Sequence, residues 1–127
     1  MEVKMKHGIY YAYWEKEWAA DYRRYVEKVA GLGFDILEIG AAPLPKYSKE
    51  NIRALKQCAD DNGITITVGY GPTWNHNIGS ADSAIRAEAL EWYKRTFEAM
   101  AGLDAHLMGG ALYSYWPVDF ATADKAD

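Results

Sequence analysis

The sequence predicts an α/β fold built on a parallel sheet. Three observations carry that prediction. Four short apolar runs, at 7–13, 34–40, 64–70 and 106–112, have the length and residue types of strands. The stretches between them repeat apolar residues at three- and four-residue steps, the period of an amphipathic helix. Strands and helices alternate strictly, β-α-β-α-β-α-β, at about 30–40 residues per unit, which implies parallel strands joined by right-handed crossovers.

The first strand is expected over 7–13 and is broken by Glu15-Lys16-Glu17. A helix follows over 19–32, with Tyr22, Tyr25/Val26, Val29 and Leu32 on one stripe. Gly33 stands where a helix C-terminus favours a left-handed residue. The second strand spans 34–40, and the two prolines of Ala41-Ala42-Pro43-Leu44-Pro45 make a loop. Ser48 is the N-cap of a second helix whose stripe is Ile52, Leu55 and Cys58/Ala59, ended by Asn62-Gly63. The third strand, 64–70, is rich in β-branched residues; a polar loop carrying Trp74 and His76 runs to Gly79. Ser80 or Asp82 caps a long helix reaching Gly102, with Ile85, Ala89, Trp92/Tyr93, Phe97 and Met100 on its stripe. The fourth strand covers 106–112, and the tail from Pro117 has the composition to open a fourth helix.

At 127 residues the chain has the length of one domain, and with 50% apolar and 25% charged residues it is globular in composition. The whole of 1–127 reads as one unit, with 1–5 as a short N-terminal extension. Net charge is −4 and no basic run occurs, so nothing favours nucleic acid. No apolar run approaches the about 18 residues of a membrane span. Residues 1–6 lack the apolar core of a secretory leader. The single cysteine, Cys58, allows no internal disulfide and reads as a small buried hydrophobe; the expected compartment is the cytoplasm.

The pattern fits a (β/α) barrel, which needs eight such units; three and a half are present, so a half-barrel cut after strand four is expected. Chemistry in such barrels gathers at the C-terminal strand ends. Two segments are built for a ligand there. Gly109-Gly110-Ala111-Leu112-Tyr113-Ser114-Tyr115-Trp116-Pro117 places small residues beside flat rings, and Gly8-Ile9-Tyr10-Tyr11-Ala12-Tyr13-Trp14 echoes it. No Gly-x-Gly-x-x-Gly follows the first strand and no phosphate-loop motif occurs. His7, His76 and His106 form no pair at metal-ligand spacing. Glu38 lies within an apolar strand on the side of Ile36, where a carboxylate needs a partner; it reads as structural or as support for a site. Asp104 and Asp119 flank strand four, and Asp119 reads as a loop turn. No acid/base pair and no nucleophile–base set is visible, so no catalytic residue and no metal ligand is assigned.

Several stretches resemble the D-psicose (D-allulose) 3-epimerases, which group with the D-tagatose 3-epimerases among the sugar isomerase/epimerase barrels. They are Lys6 through Trp18, Leu32 through Glu38, Asp61-Asn62-Gly63-Ile64 and Gly109 through Pro117. The resemblance implies a (β/α)₈ barrel that interconverts D-fructose and D-psicose by exchanging the C3 proton, with Mn²⁺ or Co²⁺ on the ketose oxygens. It also implies that the four metal ligands, the two acid/base glutamates among them, lie in the family's second half, without counterparts here. What it carries over are substrate walls: Tyr10 at the distal hydroxyls, Trp18 at the pocket mouth, Gly69 ending strand three, and Ala111 and Trp116 on strand four. Tyr70 stands where family members vary. The implied partner is a ketose, and no cofactor is expected on this chain alone.

Three readings follow. One is the N-terminal half of a ketose 3-epimerase, inactive by itself. Another is a self-associating half-barrel, with strands one and four as open edges, that binds sugar or a partner without catalysis; pairing with a missing half would serve the same edges. In it the inner-face residues Ile9, Ile36 and Ile66 lack partners. The last is an intact small α/β protein with a site of its own.

Overall fold

A computed structural model describes residues 2–18, 20–119 and 121. Four strands, β1 (Gly8–Tyr10), β2 (Ile36–Gly40), β3 (Thr65–Tyr70) and β4 (Met108–Gly110), form one sheet in the order β1-β2-β3-β4, all parallel. Three helices supply the crossovers: α1 (Tyr22–Gly31), α2 (Lys49–Asp61) and α3 (Ser83–Gly102). Short 3₁₀ turns at Tyr11–Tyr13, Leu44–Lys46 and Trp74–His76 follow the C-terminal ends of β1, β2 and β3.

The helix starts follow from capping chemistry. Asp21, Ser48 and Asp82 have extended backbones, and their side chains accept from the N–H groups of Arg23, Asn51 and Ala84. Asp82, not Ser80, therefore caps α3, and α1 begins at Tyr22 instead of residue 19. The other bounds also tighten. The first strand stops at Tyr10 because Tyr11 turns inward and is 1% exposed. The fourth runs only over Met108–Gly110, because Gly110 at φ +122° takes the chain out of the sheet. Gly33, at φ +85°, closes α1 as its position implies. The tail read as a possible fourth helix lies largely outside the described residues.

Register sorts the two sheet faces. Ile9, Leu37 and Ile66 are in line, as are Ile39, Val68 and Met108. These rows pack in one core with Val26 and Val29 of α1, Ile52 and Leu55 of α2, and Met100 of α3. Ile9 and Ile66 thus belong to the helix-facing layer. Only Ile36 of the three expected inner-face isoleucines is on the inner face, one residue out of phase with Leu37. The inner face carries Tyr10, Glu38 and Thr67 in one row and Gly40, Gly69 and Gly109 in the next. Along α3 the buried set is Ala89, Trp92, Tyr93, Thr96 and Met100, while Phe97 is 52% exposed. Thr96 takes the core position because its hydroxyl donates to the Trp92 carbonyl at 2.8 Å and leaves no polar atom unpaired. Cys58 is partly buried, and that burial holds its thiol above the usual range. Among the described residues no helix is long and apolar enough to cross a membrane.

Candidate functional site

The chain directs its aromatic residues to the C-terminal end of the sheet. Tyr11, just past β1, packs edge-on against Tyr10 at 4.8 Å and Tyr22 at 5.1 Å between ring centres. The Tyr22 hydroxyl donates to the Gly40 carbonyl at 3.2 Å, tying α1 to the end of β2. The loop from β1 to α1 is held at several of its described residues. Trp14 stacks on Tyr25, and Lys28 Nζ lies over the Trp14 ring, 4.6 Å from its centre. The Tyr25 hydroxyl donates to Glu15 at 2.9 Å, and the Tyr11 hydroxyl donates to the Trp18 carbonyl at 3.4 Å. Trp18 itself is exposed, standing free at the rim.

The opposite wall is a second aromatic set. Trp92 of α3 stacks with Tyr70 at 4.3 Å and with His76 at 4.7 Å. The Tyr70 and His76 rings are only 6.4 Å apart, so both lie on one face of the indole. Their polar ends meet, Tyr70 Oη and His76 Nδ1 being hydrogen bonded at 2.8 Å. Burial holds His76 below the usual imidazole range and Tyr70 above the usual phenol range. The Trp116 N–H donates to the Pro72 carbonyl, which brings the segment after β4 across the end of β3.

Between these walls lies a cleft of about 510 Å³. Tyr10, Trp18, Gly69 and Trp116 all line it, with Tyr11, Tyr70, His76 and Trp92. Four of the five residues expected at a site are thus brought together. Ala111 is not among the lining residues; it follows Gly110, where the chain has already left the sheet. Tyr10 is held deep in the wall: burial first, then the neighbouring Tyr11 and the Glu38 charge, push its phenol up to about 12. Tyr11 belongs to the ring-rich segment 8–14 that the sequence marks as a ligand wall, whereas Trp92 reads from sequence as a helix-core aromatic, and its place in the cleft depends on contacts between elements.

Elsewhere among the described residues, ionisable groups sit in separate local contacts. His106 Nε2 and Asp104 pair at 2.7 Å on the exposed connection entering β4, away from the cleft. The Asp35 carboxylate accepts from the His7 N–H at 3.0 Å. The Asp119 carboxylate accepts from the Ala121 N–H at 2.9 Å, which fits a loop turn. Among the described residues no three His, Cys, Asp or Glu side chains are grouped to hold a metal ion. The described residues therefore do not fit a divalent metal by themselves.

Comparison with known proteins gives this geometry a setting. Residues 26–125 match the family described as the xylose isomerase-like TIM barrel. The chain is 60% identical to a D-psicose 3-epimerase of Ruminiclostridium cellulolyticum, over 95% of this chain and 42% of that protein. It is 49% identical to a D-psicose 3-epimerase of Agrobacterium fabrum, over 96% and 43%. The crystal structure of D-psicose 3-epimerase with D-tagatose from Clostridium cellulolyticum H10 superposes with a TM-score of 0.93 at 59% identity, covering 96% of this chain and 43% of that one. The chain spans less than half the length of the relatives it matches. Its four parallel strands and their helices match the N-terminal part of a TIM barrel.

Proposed function

The chain belongs to the xylose isomerase-like TIM barrel family, and from that premise we propose that it forms the N-terminal, sugar-facing wall of a ketose 3-epimerase site. The substrate class is a ketohexose of the D-fructose and D-psicose type. One observation carries the reading. Tyr10, Trp18, Gly69 and Trp116, picked for the sugar on resemblance alone, line a single cleft at the C-terminal strand ends. Flat apolar rings bearing phenol, indole and imidazole groups suit the alternating C–H and O–H surface of a sugar.

In this reading Tyr10 and Trp116 hold opposite sides of the sugar, Trp18 covers its mouth, and Gly69 lets it approach β3. Ala111 remains a proposed contact, to be reached by the segment after β4. Proton transfer at C3 belongs to groups outside these residues. A divalent metal, Mn²⁺ or Co²⁺ on the resemblance, would be supplied by the same missing side. The chain acts as one unit over 1–127 with 1–5 as an extension, and the cytoplasm is its proposed compartment.

A mixing experiment tests the proposal. The purified chain, given D-fructose and Mn²⁺, is expected to form no D-psicose. Adding the remaining part of the Ruminiclostridium relative as a separate polypeptide is expected to restore turnover. D-Psicose formed by the chain alone would overturn the reading. A second reading, a self-associating half-barrel, has one observation in its favour: among the described residues β1 and β4 each pair along one edge only. A concentration-dependent dimer with no sugar binding would favour it.

A further inference from the structure

Among the described residues, the cleft lining includes no lysine, arginine, aspartate or glutamate. One acidic group, Glu38, contacts a lining residue, Gly69. Glu38 stands on the inner face of β2, in register between Tyr10 of β1 and Thr67 of β3. Its carboxylate lies against Gly69, which lines the cleft. A Cβ built on Gly69 would lie 2.6 Å from Glu38 Oε1 and 3.3 Å from its Cδ. Gly69 thus leaves the space that this carboxylate fills. Glu38 is partly buried, and among the described residues no hydrogen bond or ion pair engages its side chain. Tyr93 Oη is the one buried side-chain N or O atom without a partner among the described residues, so the Glu38 oxygens reach solvent and are open to donors from a ligand.

Resting on the ketose-wall reading, we propose that Glu38 is the specificity determinant of this cleft: it accepts a hydroxyl of an uncharged polyol and repels anionic sugars. Both halves follow from its charge and place. An ionised carboxylate is acceptor-only, so it favours O–H groups. With no lysine or arginine among the described lining residues, a phosphate or carboxylate on the ligand meets the Glu38 charge uncompensated by them. Gly69 contributes by leaving the space that the carboxylate fills. The group a Gly69 methyl would meet is the far end of a flexible side chain, so Gly69→Ala shifts Glu38 instead of unfolding the sheet.

The test compares D-fructose with D-fructose 6-phosphate, titrated into the full chain and followed at the Gly69 amide and the Trp116 indole by NMR. The wild-type chain is expected to prefer the neutral sugar by about tenfold or more at low salt, a margin that shrinks as salt screens the charge. Glu38→Gln keeps the shape and removes the charge. It is expected to narrow the preference to about threefold, through tighter binding of the phosphate ester and weaker binding of D-fructose. An unchanged preference in a folded Glu38→Gln chain overturns the proposal and leaves the ketose-wall reading standing. Failure of the wild-type chain to bind either sugar overturns that reading and this inference together. A second readout needs no sugar: Gly69→Ala is expected to melt as the wild type does while moving the ¹³C resonance of the Glu38 carboxyl. An unmoved resonance also overturns the proposal.

Discussion

Tyr22 shows how a single side chain anchors the site. Its ring is 2% exposed within the aromatic cluster, and its hydroxyl donates to the Gly40 carbonyl at the end of β2. Tyr22→Phe keeps the ring and strands that carbonyl. The expected loss is about 1–2 kcal/mol in a denaturant melt, with the fold retained. The tyrosines also set an alkaline limit. Burial raises the phenols of Tyr10 and Tyr93 to about 12 and that of Tyr22 further still. A raised folded-state pKa gives stability that is complete below the unfolded value near 10 and is lost as pH climbs through the folded value. Stability is therefore expected to be flat up to about pH 10 and to fall steeply between 10 and 12. Absorbance at 295 nm is the check: phenolate should appear together with unfolding, and full ionisation of a still-folded chain would contradict the burial. Some residue roles were legible in sequence. Gly33 could be assigned a left-handed C-terminal position, and Glu38 stood out as an acid in an apolar strand. The contact of Glu38 with Gly69 was not legible, because it depends on the register of β2 against β3.

At the scale of elements, caps and periodicity carried most of the information. Ser48 followed by the Ile52, Leu55 and Ala59 stripe identified α2 correctly from start to finish. The ends of β1 and β4 were read too long because apolar residues continue past them. Tyr11 is apolar for the core between elements, and Ala111 follows a glycine whose positive φ ends the strand. On α3 the apolar pattern alone favoured Phe97 over Thr96. Hydrogen bonding within the helix reversed the two. The long α3 carries Trp92, so its N-terminal anchorage bears on the cleft. Asp82→Ala removes the acceptor for the Ala84 N–H at 2.8 Å and is expected to cost about 1 kcal/mol. Hydrogen exchange should locate that loss in the first turn of α3, whereas uniform loss across all three helices would contradict a local cap.

For the whole molecule, strict alternation of strand and helix was enough to foresee a parallel sheet with its cleft at the C-terminal strand ends. Resemblance then picked four residues that tertiary structure gathers from β1, the β1–α1 loop, β3 and the segment after β4. Composition could not show that Trp92 and His76 complete the wall, since only packing of α3 under the β3–α3 loop brings them there. The central claim is that this wall recognises a ketose. A ¹⁵N–¹H titration of the full chain with D-fructose and D-psicose tests it most directly. Saturable shifts are expected at the Tyr10 and Gly69 amides and the Trp18 and Trp116 indoles, with the α1 and α2 signals unmoved. Saturation centred on α1 and α2, or no saturable shift at the four cleft residues, would contradict it.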